Sequence, residues 1–175
     1  MLRKKIKRKI KEKEDRVINS FLYSVPPKIG RYIVLDSETT GLKKEDHAIE
    51  IAAVELKDMI ITGNEFQIMI KPRICMGKKA VKLHGITNQF YDDYYADAYK
   101  SEKQNLINFL NFLGDSIIFA HNALFDIGKI NSELIFWGLS PIPRERFRCS
   151  KRIFKDVIKK FDPSYDLKLC SLKNL

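Results

Sequence analysis

The amino-acid sequence predicts an α/β domain built on a mixed β-sheet with flanking helices. Three observations carry this prediction. An unbroken apolar run, Tyr32 to Leu35, is typical of a central strand buried on both faces. A second run, Ile117 to Ala120, is apolar and has the length of a short strand. Apolar residues also recur at helical spacing before and after this second run, so helices and strands alternate in the second half of the chain.

Residues 1–30 are predicted to form a basic helical extension ahead of the domain. Leu2, Ile6 and Ile10 recur every four residues, and the prolines at 26 and 27 would end a helix because proline lacks a backbone N–H. The segment carries a net charge of +7. Contact with DNA, with a membrane surface or with a partner protein would fit this pattern, and so would a solvated arm without a role.

The first half of the domain, which we expect to span residues 31–175, has the pattern of an antiparallel meander. Residues 48–56 and 65–70 have strand composition. The sequence Thr-Gly-Asn at 62–64 has turn chemistry, and we expect it to join Met59–Ile61 to the strand that follows.

The second half is predicted to contain three helices and two short strands, the first of which is the apolar run Ile117 to Ala120. Helical spacing indicates one helix over residues 97–113 with its end at Gly114, and a second that is capped by Asn122 and ends at Gly138. Residues 146–149 are a predicted short strand, and a last helix covers about residues 150–161.

Composition and charge bound the function. A chain of 175 residues with 45% hydrophobic and 31% charged residues suits one compact domain, and no apolar run approaches the length of a membrane span. The N-terminus has no signal-peptide pattern, and Cys75, Cys149 and Cys170 have no metal-ligand spacing, so we expect a cytoplasmic protein with reduced thiols. Net charges of +7 in residues 1–30 and +6 in residues 143–175 flank a middle of −3. Nucleic acid fits this distribution, as does a merely lysine-rich surface.

The residues that carry chemistry follow the two apolar runs. Asp36 and Glu38 are two positions apart in a strand, so their carboxylates project to the same side. Carboxylates at the end of a buried strand require a compensating cation, and Mg²⁺ prefers oxygen ligands of this kind. Asp126 lies in the first turn of the helix that follows the second run, and it would face Asp36 and Glu38 if the two strands are neighbours. Taken singly, these acids have ordinary alternatives: an acidic turn after a strand, and a first-turn helix acid.

Three motifs resemble those of the DEDDh 3′–5′ exonucleases and occur in that family's order. They are Asp36-x-Glu38-Thr-Thr-Gly-Leu, His84-Gly-Ile-Thr, and His121-Asn122-Ala-x-Phe125-Asp126. The resemblance runs from about residue 32 to residue 175 and is strongest to the DNA-proofreading branch, which includes the epsilon subunit of DNA polymerase III. It implies a ribonuclease-H-like fold, with a mixed sheet made of an antiparallel meander plus parallel strands and flanked by helices.

The resemblance also implies a mechanism, a cofactor and partners. Two Mg²⁺ (or Mn²⁺) ions would be held by Asp36, Glu38 and Asp126 and would promote hydrolysis of the terminal phosphodiester of DNA. Four further residues match motif positions that hold or stack on the terminal nucleotide: Thr39, His84, Asn122 and Phe125. Local backbone capping by His84 and core packing of Phe125 are the structural alternatives. The implied partners are a single-stranded or frayed DNA 3′ end and a replicative DNA polymerase subunit.

A fourth family motif, H-x-x-x-x-D, supplies the last carboxylate and the histidine general base, and it is expected to be lacking here. In the family it follows a helix of the pattern S-L-x-x-L, which residues 171–175 match. His47 lies in the loop after the first motif, and His84 and His121 belong to the other motifs. We therefore expect residues 31–175 to be an exonuclease domain truncated at its C-terminus, without the last family helix and without a general base, and weak or inactive by itself.

Three alternatives stay open. The chain could be a non-catalytic module that binds nucleic acid or a replication partner through its basic ends. It could be an RNA-trimming relative, since recognition of the 2′-hydroxyl is not visible in sequence. It could also be one part of a split enzyme that a second polypeptide completes.

Overall fold

A computed structural model describes residues 29–98, 102–161 and 164. The strands are β1 (Arg31–Thr39), β2 (Ala48–Lys57), β3 (Ile60–Met69), β4 (Ile117–Ala120) and β5 (Phe147–Cys149). The helices are α1 (Lys78–His84), α2 (Asn88–Ala98), α3 (Glu102–Leu113), α4 (Ala123–Phe136) and α5 (Ser150–Phe161), with a 3₁₀ turn over Arg144–Arg146. The predicted helix within residues 1–30 and the S-L-x-x-L pattern at 171–175 lie outside the described residues.

The five strands form one mixed sheet in the order β3-β2-β1-β4-β5, which confirms the predicted fold class. β2 pairs with β1 and with β3 in antiparallel fashion, and β4 is parallel to both β1 and β5. In the parallel pair, Val34 of β1 lies beside Phe119 of β4. The carboxyl ends of these two strands therefore meet at one edge of the sheet, where the first and third sequence motifs begin.

The hairpin between β2 and β3 turns earlier than the sequence indicated. The turn residues are Asp58 and Met59, both with positive φ (53° and 67°), and the segment 62–64 lies within β3. Asp58 fixes this turn, because its carboxylate accepts a hydrogen bond from Gly30 N–H at 2.8 Å and its own N–H donates to the Gly30 carbonyl at 2.8 Å. The expected turn at Thr62–Asn64 is therefore wrong. Gly63, with φ of 86°, lies at a register shift opposite Val54–Leu56 of the partner strand.

The helix expected over residues 97–113 is shorter than predicted. α2 ends at Ala98 and α3 begins at Glu102, whose carboxylate accepts a hydrogen bond from Lys71 N–H at 2.7 Å and lies in the first helical turn, where an acid is favoured. Gly114, with φ of 47°, follows α3 as predicted. Helix α1 was not predicted, because none of its residues is fully buried and it carries no apolar stripe.

One face of the sheet carries the main core. Alternate residues of β1, Ile33 and Leu35, are buried against apolar side chains of α3 and α4 such as Phe109 and Ile130. On the other face of β1, Val34 is 44% exposed and lines an open apolar groove of about 380 Å³ that also contains Asp36 and His121. Within the described ranges, no helix has the length and apolar character needed to cross a membrane.

Candidate active site

Asp36 and Glu38 lie at the carboxyl end of β1, where the strand emerges from the core. Asp36 is exposed, whereas Glu38 is half-buried and pairs in register with Glu50 of β2. Burial raises the pKa of Glu38, and the charges of Asp36, Glu50 and Asp126 raise it further. Acidic side chains therefore accumulate at the end of β1, and among residues 29–98 and 102–161 none of the ion pairs includes Asp36, Glu38 or Glu50.

Asp126 reaches the same edge of the sheet from the first turn of α4. Its side chain is 3% exposed, and its Oδ1 accepts a hydrogen bond from the Ser37 hydroxyl at 2.7 Å. Burial raises the pKa of this carboxyl to about 6, and the charge of Asp36 adds to the effect, while the Ser37 hydrogen bond opposes it. The helix thus brings a third carboxylate to the end of β1, where it contacts Ser37, the residue between Asp36 and Glu38 in the sequence.

The three acids are close enough for their charges to affect one another's pKa values, but they are not arranged as a complete metal-binding site. In the part of the chain that the structure describes, no three His, Cys, Asp or Glu side chains are grouped closely enough to hold an ion. None of the ion pairs among those residues includes Asp36, Glu38 or Asp126. A divalent cation fits this donor set, because all three ligands are carboxylates and because burial raises the pKa of both Glu38 and Asp126, so that a bound positive charge would stabilise their ionised forms.

The residues predicted to hold the nucleotide have different environments. Thr39 is buried and donates its hydroxyl to the Gly41 carbonyl at 2.8 Å. Asn122 occupies the N-cap position of α4, as predicted, but its side chain is exposed and makes no capping hydrogen bond. Phe125 is half-buried rather than a core residue, and the Lys129 ammonium lies 5.4 Å from its ring centroid. The exposed amide of Asn122 and the accessible part of the Phe125 ring are compatible with contact to a ligand.

Both motif histidines lie near the acidic edge. His84 Nδ1 accepts a hydrogen bond from Ile86 N–H at 3.1 Å, which is the local capping considered above as an alternative. Burial lowers the pKa of His84, against the opposing effects of the Thr39 backbone and the Glu50 charge. Burial and Lys151 lower the pKa of His121, while Asp36 raises it. In the described structure, His121 Nε2 is buried without a hydrogen-bond partner.

Sequence reasoning missed the residues that shape the loop after the first motif, residues 40–47. The Asp46 carboxylate accepts hydrogen bonds from Lys43 N–H at 2.6 Å and from the Thr40 hydroxyl at 3.1 Å. Glu50 was also missed, although a correct register for the β1–β2 hairpin would have placed it beside Glu38. Nothing in the local pattern of Asp46 distinguishes it from an ordinary surface acid.

Replacing Gly41 with alanine should destabilise this loop by about 1–2 kcal/mol. A Cβ at Gly41 would lie 2.6 Å from Asp46 Oδ2, so the carboxylate would have to move away from Lys43 N–H and Thr40. Gly128→Ala is the matched control, because a Cβ there meets nothing within 4 Å on the exposed side of α4 and should stabilise by about 0.5–1 kcal/mol. Chemical denaturation of the two variants tests this; equal effects would contradict the role given to Asp46.

Comparison with known proteins supports the resemblance. The sequence model of the exonuclease family (RNase_T) matches residues 33–173. The DNA polymerase III subunit epsilon of Buchnera aphidicola subsp. Acyrthosiphon pisum is 42% identical over an alignment of 112 residues, and the match covers 59% of this chain and 44% of that protein. The epsilon subunit of Rickettsia prowazekii is 39% identical over an alignment of 107 residues, and this match also covers 59% of this chain and 44% of that protein. The chain thus spans less than half the length of these curated relatives.

The fold is shared with solved exonuclease structures. The metal-free form of the Escherichia coli exonuclease I–single-stranded DNA complex superposes with a TM-score of 0.62 at 17% identity, over 77% of this chain and 31% of that chain. At this identity the likeness concerns the fold alone, and it confirms the expected ribonuclease-H-like arrangement of the mixed sheet and its helices. With the family match covering most of its length, the chain belongs to the exonuclease (RNase_T) family.

Proposed function

We propose that this chain carries the core of a metal-dependent 3′–5′ exonuclease that hydrolyses the terminal phosphodiester of DNA, in the manner of a proofreading subunit. The observation that carries the proposal is the buried Asp126 carboxyl. It is fixed by Ser37 at the edge of the sheet where Asp36 and Glu38 emerge, and its pKa is raised to about 6. Three acids at this edge with no cationic partner among the described residues are more readily explained by a metal site than by independent structural roles.

We assign metal binding and nucleotide binding to different residues of the site. Asp36, Glu38 and Asp126 would hold divalent cations, which would supply charge neutralisation at the scissile phosphate and a more acidic attacking water. Thr39, Asn122 and Phe125 would bind and orient the terminal nucleotide, with the Phe125 ring available for stacking on an unpaired base. His84 would border this site from α1, close to the Thr39 backbone and to Glu50.

The proposal includes a partner and a place of action. The relatives are named as subunits of DNA polymerase III. We therefore propose a replicative DNA polymerase as the partner of this chain, and the cytoplasm as its compartment. The E. coli exonuclease I structure contains single-stranded DNA, and we propose the same substrate class for this chain, in the form of a frayed or single-stranded 3′ end.

Calorimetric titration of the whole chain with Mn²⁺ and Mg²⁺ tests the metal site. The wild-type chain should bind divalent ions, and Asp36→Ala should lose most of that binding because Asp36 influences both Glu38 and Asp126. Asp93→Ala removes an exposed carboxylate from α2 and is the matched control, which should bind as the wild type does. Equal losses in both variants would contradict a specific site at the end of β1.

A degradation assay on 5′-labelled single-stranded DNA completes the test. Metal binding with little or no trimming is the expected result for residues 1–175, since His47, His84 and His121 are their three histidines and none of them belongs to a fourth family motif. Neither metal binding nor trimming would favour the non-catalytic binding module. A preference for an RNA strand of the same sequence would assign the chain to RNA trimming instead.

A further inference from the structure

One buried charge near the proposed site is not explained by that function. Lys129 lies on α4 one helical turn beyond Phe125 and is only 6% exposed. Burying an ammonium group is costly unless its protons are satisfied. Here Nζ donates to the backbone carbonyls of Lys43 and Asp46, the second at 2.7 Å. The helix that carries Asp126 therefore binds the loop that follows the first motif directly.

The loop bound by Lys129, residues 40–47, leaves β1 immediately after Glu38 and Thr39. Asp46 braces it from within, as described above, while the side chain of Leu42 at its tip is 82% exposed. The loop is therefore held by hydrogen bonds within it and by a buried cation of a helix, while its tip is exposed. These are the features of a preformed contact surface.

A second attachment joins the same loop to α4 one turn further along. His47 Nδ1 lies 3.1 Å from Oε1 of Glu133, which is fully buried. Arg73 donates two hydrogen bonds to the Glu133 carboxylate, at 2.7 and 3.0 Å, and its guanidinium lies 3.8 Å from the centroid of the Phe136 ring. Lys129 and Glu133 thus hold successive parts of the loop, and Lys129 is the one of the two that lies a single helical turn from Phe125.

Lys129 contacts the proposed stacking residue as well. Its ammonium lies 5.4 Å from the Phe125 ring centroid, within the range of a cation–π interaction. The Lys129 ammonium therefore restrains both the Phe125 ring and the loop at residues 40–47. The ring belongs to α4, whereas the loop follows Thr39 at the end of β1.

We propose that Lys129 is a positioning residue for the 3′-terminal nucleotide. By holding the loop at residues 40–47 and the Phe125 ring in one arrangement, it removes the conformational cost that nucleotide binding would otherwise bear. The inference rests on the proposed function, since it assigns Lys129 to the nucleotide side of that site and leaves metal binding to Asp36, Glu38 and Asp126.

The test measures nucleotide and metal affinity separately on the whole chain. Fluorescence anisotropy would follow a short single-stranded DNA with a hydrolysis-resistant phosphorothioate at its last linkage, in the presence of Mn²⁺, and calorimetry would follow Mn²⁺ alone. Lys129→Met keeps the length of the side chain and removes the charge. It should weaken DNA binding roughly ten-fold, as expected if the competent arrangement falls to about a tenth of the population, and change Mn²⁺ affinity by less than about two-fold.

Two further variants control this experiment. Lys103→Met removes the same charge from an exposed position on α3 and should leave DNA affinity nearly unchanged. Lys129→Gln keeps amide N–H donors for the two carbonyls but loses the cation over Phe125, so it should weaken DNA binding about three-fold. This variant also carries the test if Lys129→Met does not fold.

The outcomes separate this inference from the proposed function. Wild-type affinity for DNA in the Lys129 variants, with only a lower melting temperature, would overturn the positioning role and leave a structural one. Equal losses in Lys129→Met and Lys103→Met would also overturn it, because they would indicate general charge attraction. If the wild-type chain bound Mn²⁺ but none of the Lys129 variants lost DNA affinity, the metal site would stand and only this inference would fail.

Discussion

Asp126→Asn is expected to make the metal-free protein more stable and to abolish its stabilisation by divalent metal. The pKa of Asp126 is raised from 3.8 to about 6, mainly by burial. A shift of this size corresponds to about 3 kcal/mol by which the folded state at neutral pH disfavours the ionised form. Asparagine has nearly the same shape, can still accept the Ser37 hydrogen bond and carries no charge, so we expect a gain of about 1–3 kcal/mol in the free energy of unfolding without metal.

The sign of the pH dependence follows from the same pKa. Because the folded-state pKa lies above the unfolded value, the folded protein binds more protons, and the contribution of Asp126 to stability is fully present below pH 3.8. It is lost as the pH rises through about 6. Urea denaturation of the metal-free protein between pH 4 and pH 8 should show this loss, and Asp126→Asn should lack that part of the profile.

Divalent metal should reverse the order of stability, so that the wild type becomes more stable than Asp126→Asn. A ligand that binds only the folded state at about a hundred times its dissociation constant stabilises by about 2.7 kcal/mol. Saturating Mn²⁺ should therefore raise the melting temperature of the wild type and leave that of Asp126→Asn almost unchanged. The assignment of Asp126 to the metal site would be wrong if the variant responded to Mn²⁺ as strongly as the wild type, or if it were less stable than the wild type without metal.

The sequence predicted the parts of the fold that depend on continuous local signals. The apolar run at residues 32–35 identified the central strand, and the spacing of Ile127, Ile130 and Leu134 identified α4, because each signal reflects burial of the segment in a single core. From the sequence, the motif residues would meet at one edge of the sheet if the two apolar strands are neighbours. The parallel pairing of Tyr32–Val34 with Ile117–Phe119 meets that condition.

What the sequence did not predict depends on contacts between distant segments. The position of the hairpin turn is set by the hydrogen bond from Gly30 N–H to the Asp58 carboxylate, between residues 28 apart in the sequence. This contact outweighs the turn preference of the sequence Thr62–Asn64. The role of Lys129 depends on carbonyl groups 83 and 86 residues away in the sequence. From sequence alone, a lysine in a helix is predicted to point into solvent. For the same reason Glu133, a lone acid late in α4, gave no sign of its complete burial.

Joining a C-terminal segment that carries an H-x-x-x-x-D motif to residues 1–175 is expected to raise the rate of 3′-nucleotide release at least about 100-fold. The reason lies in the acidic edge described above. Asp36, Glu38 and Asp126 supply ligands, but burial lowers the pKa of both nearest histidines, His84 and His121, which makes each a weaker base. A positioned general base is worth about 10²–10⁴-fold in rate, so an added histidine has more to contribute than any change to the existing ones.

The matched control is the same fusion with its added histidine replaced by alanine, which should bind Mn²⁺ like the active fusion but release nucleotides at the rate of residues 1–175. Asp36→Ala in the active fusion should remove both properties. If residues 1–175 alone trimmed a labelled 3′ end as fast as the fusion, and Asp36→Ala abolished that trimming, then a base already present in the chain would serve the reaction. His121 would be the first residue to replace, since it lines the open groove beside Asp36 and its Nε2 has no hydrogen-bond partner in the described structure.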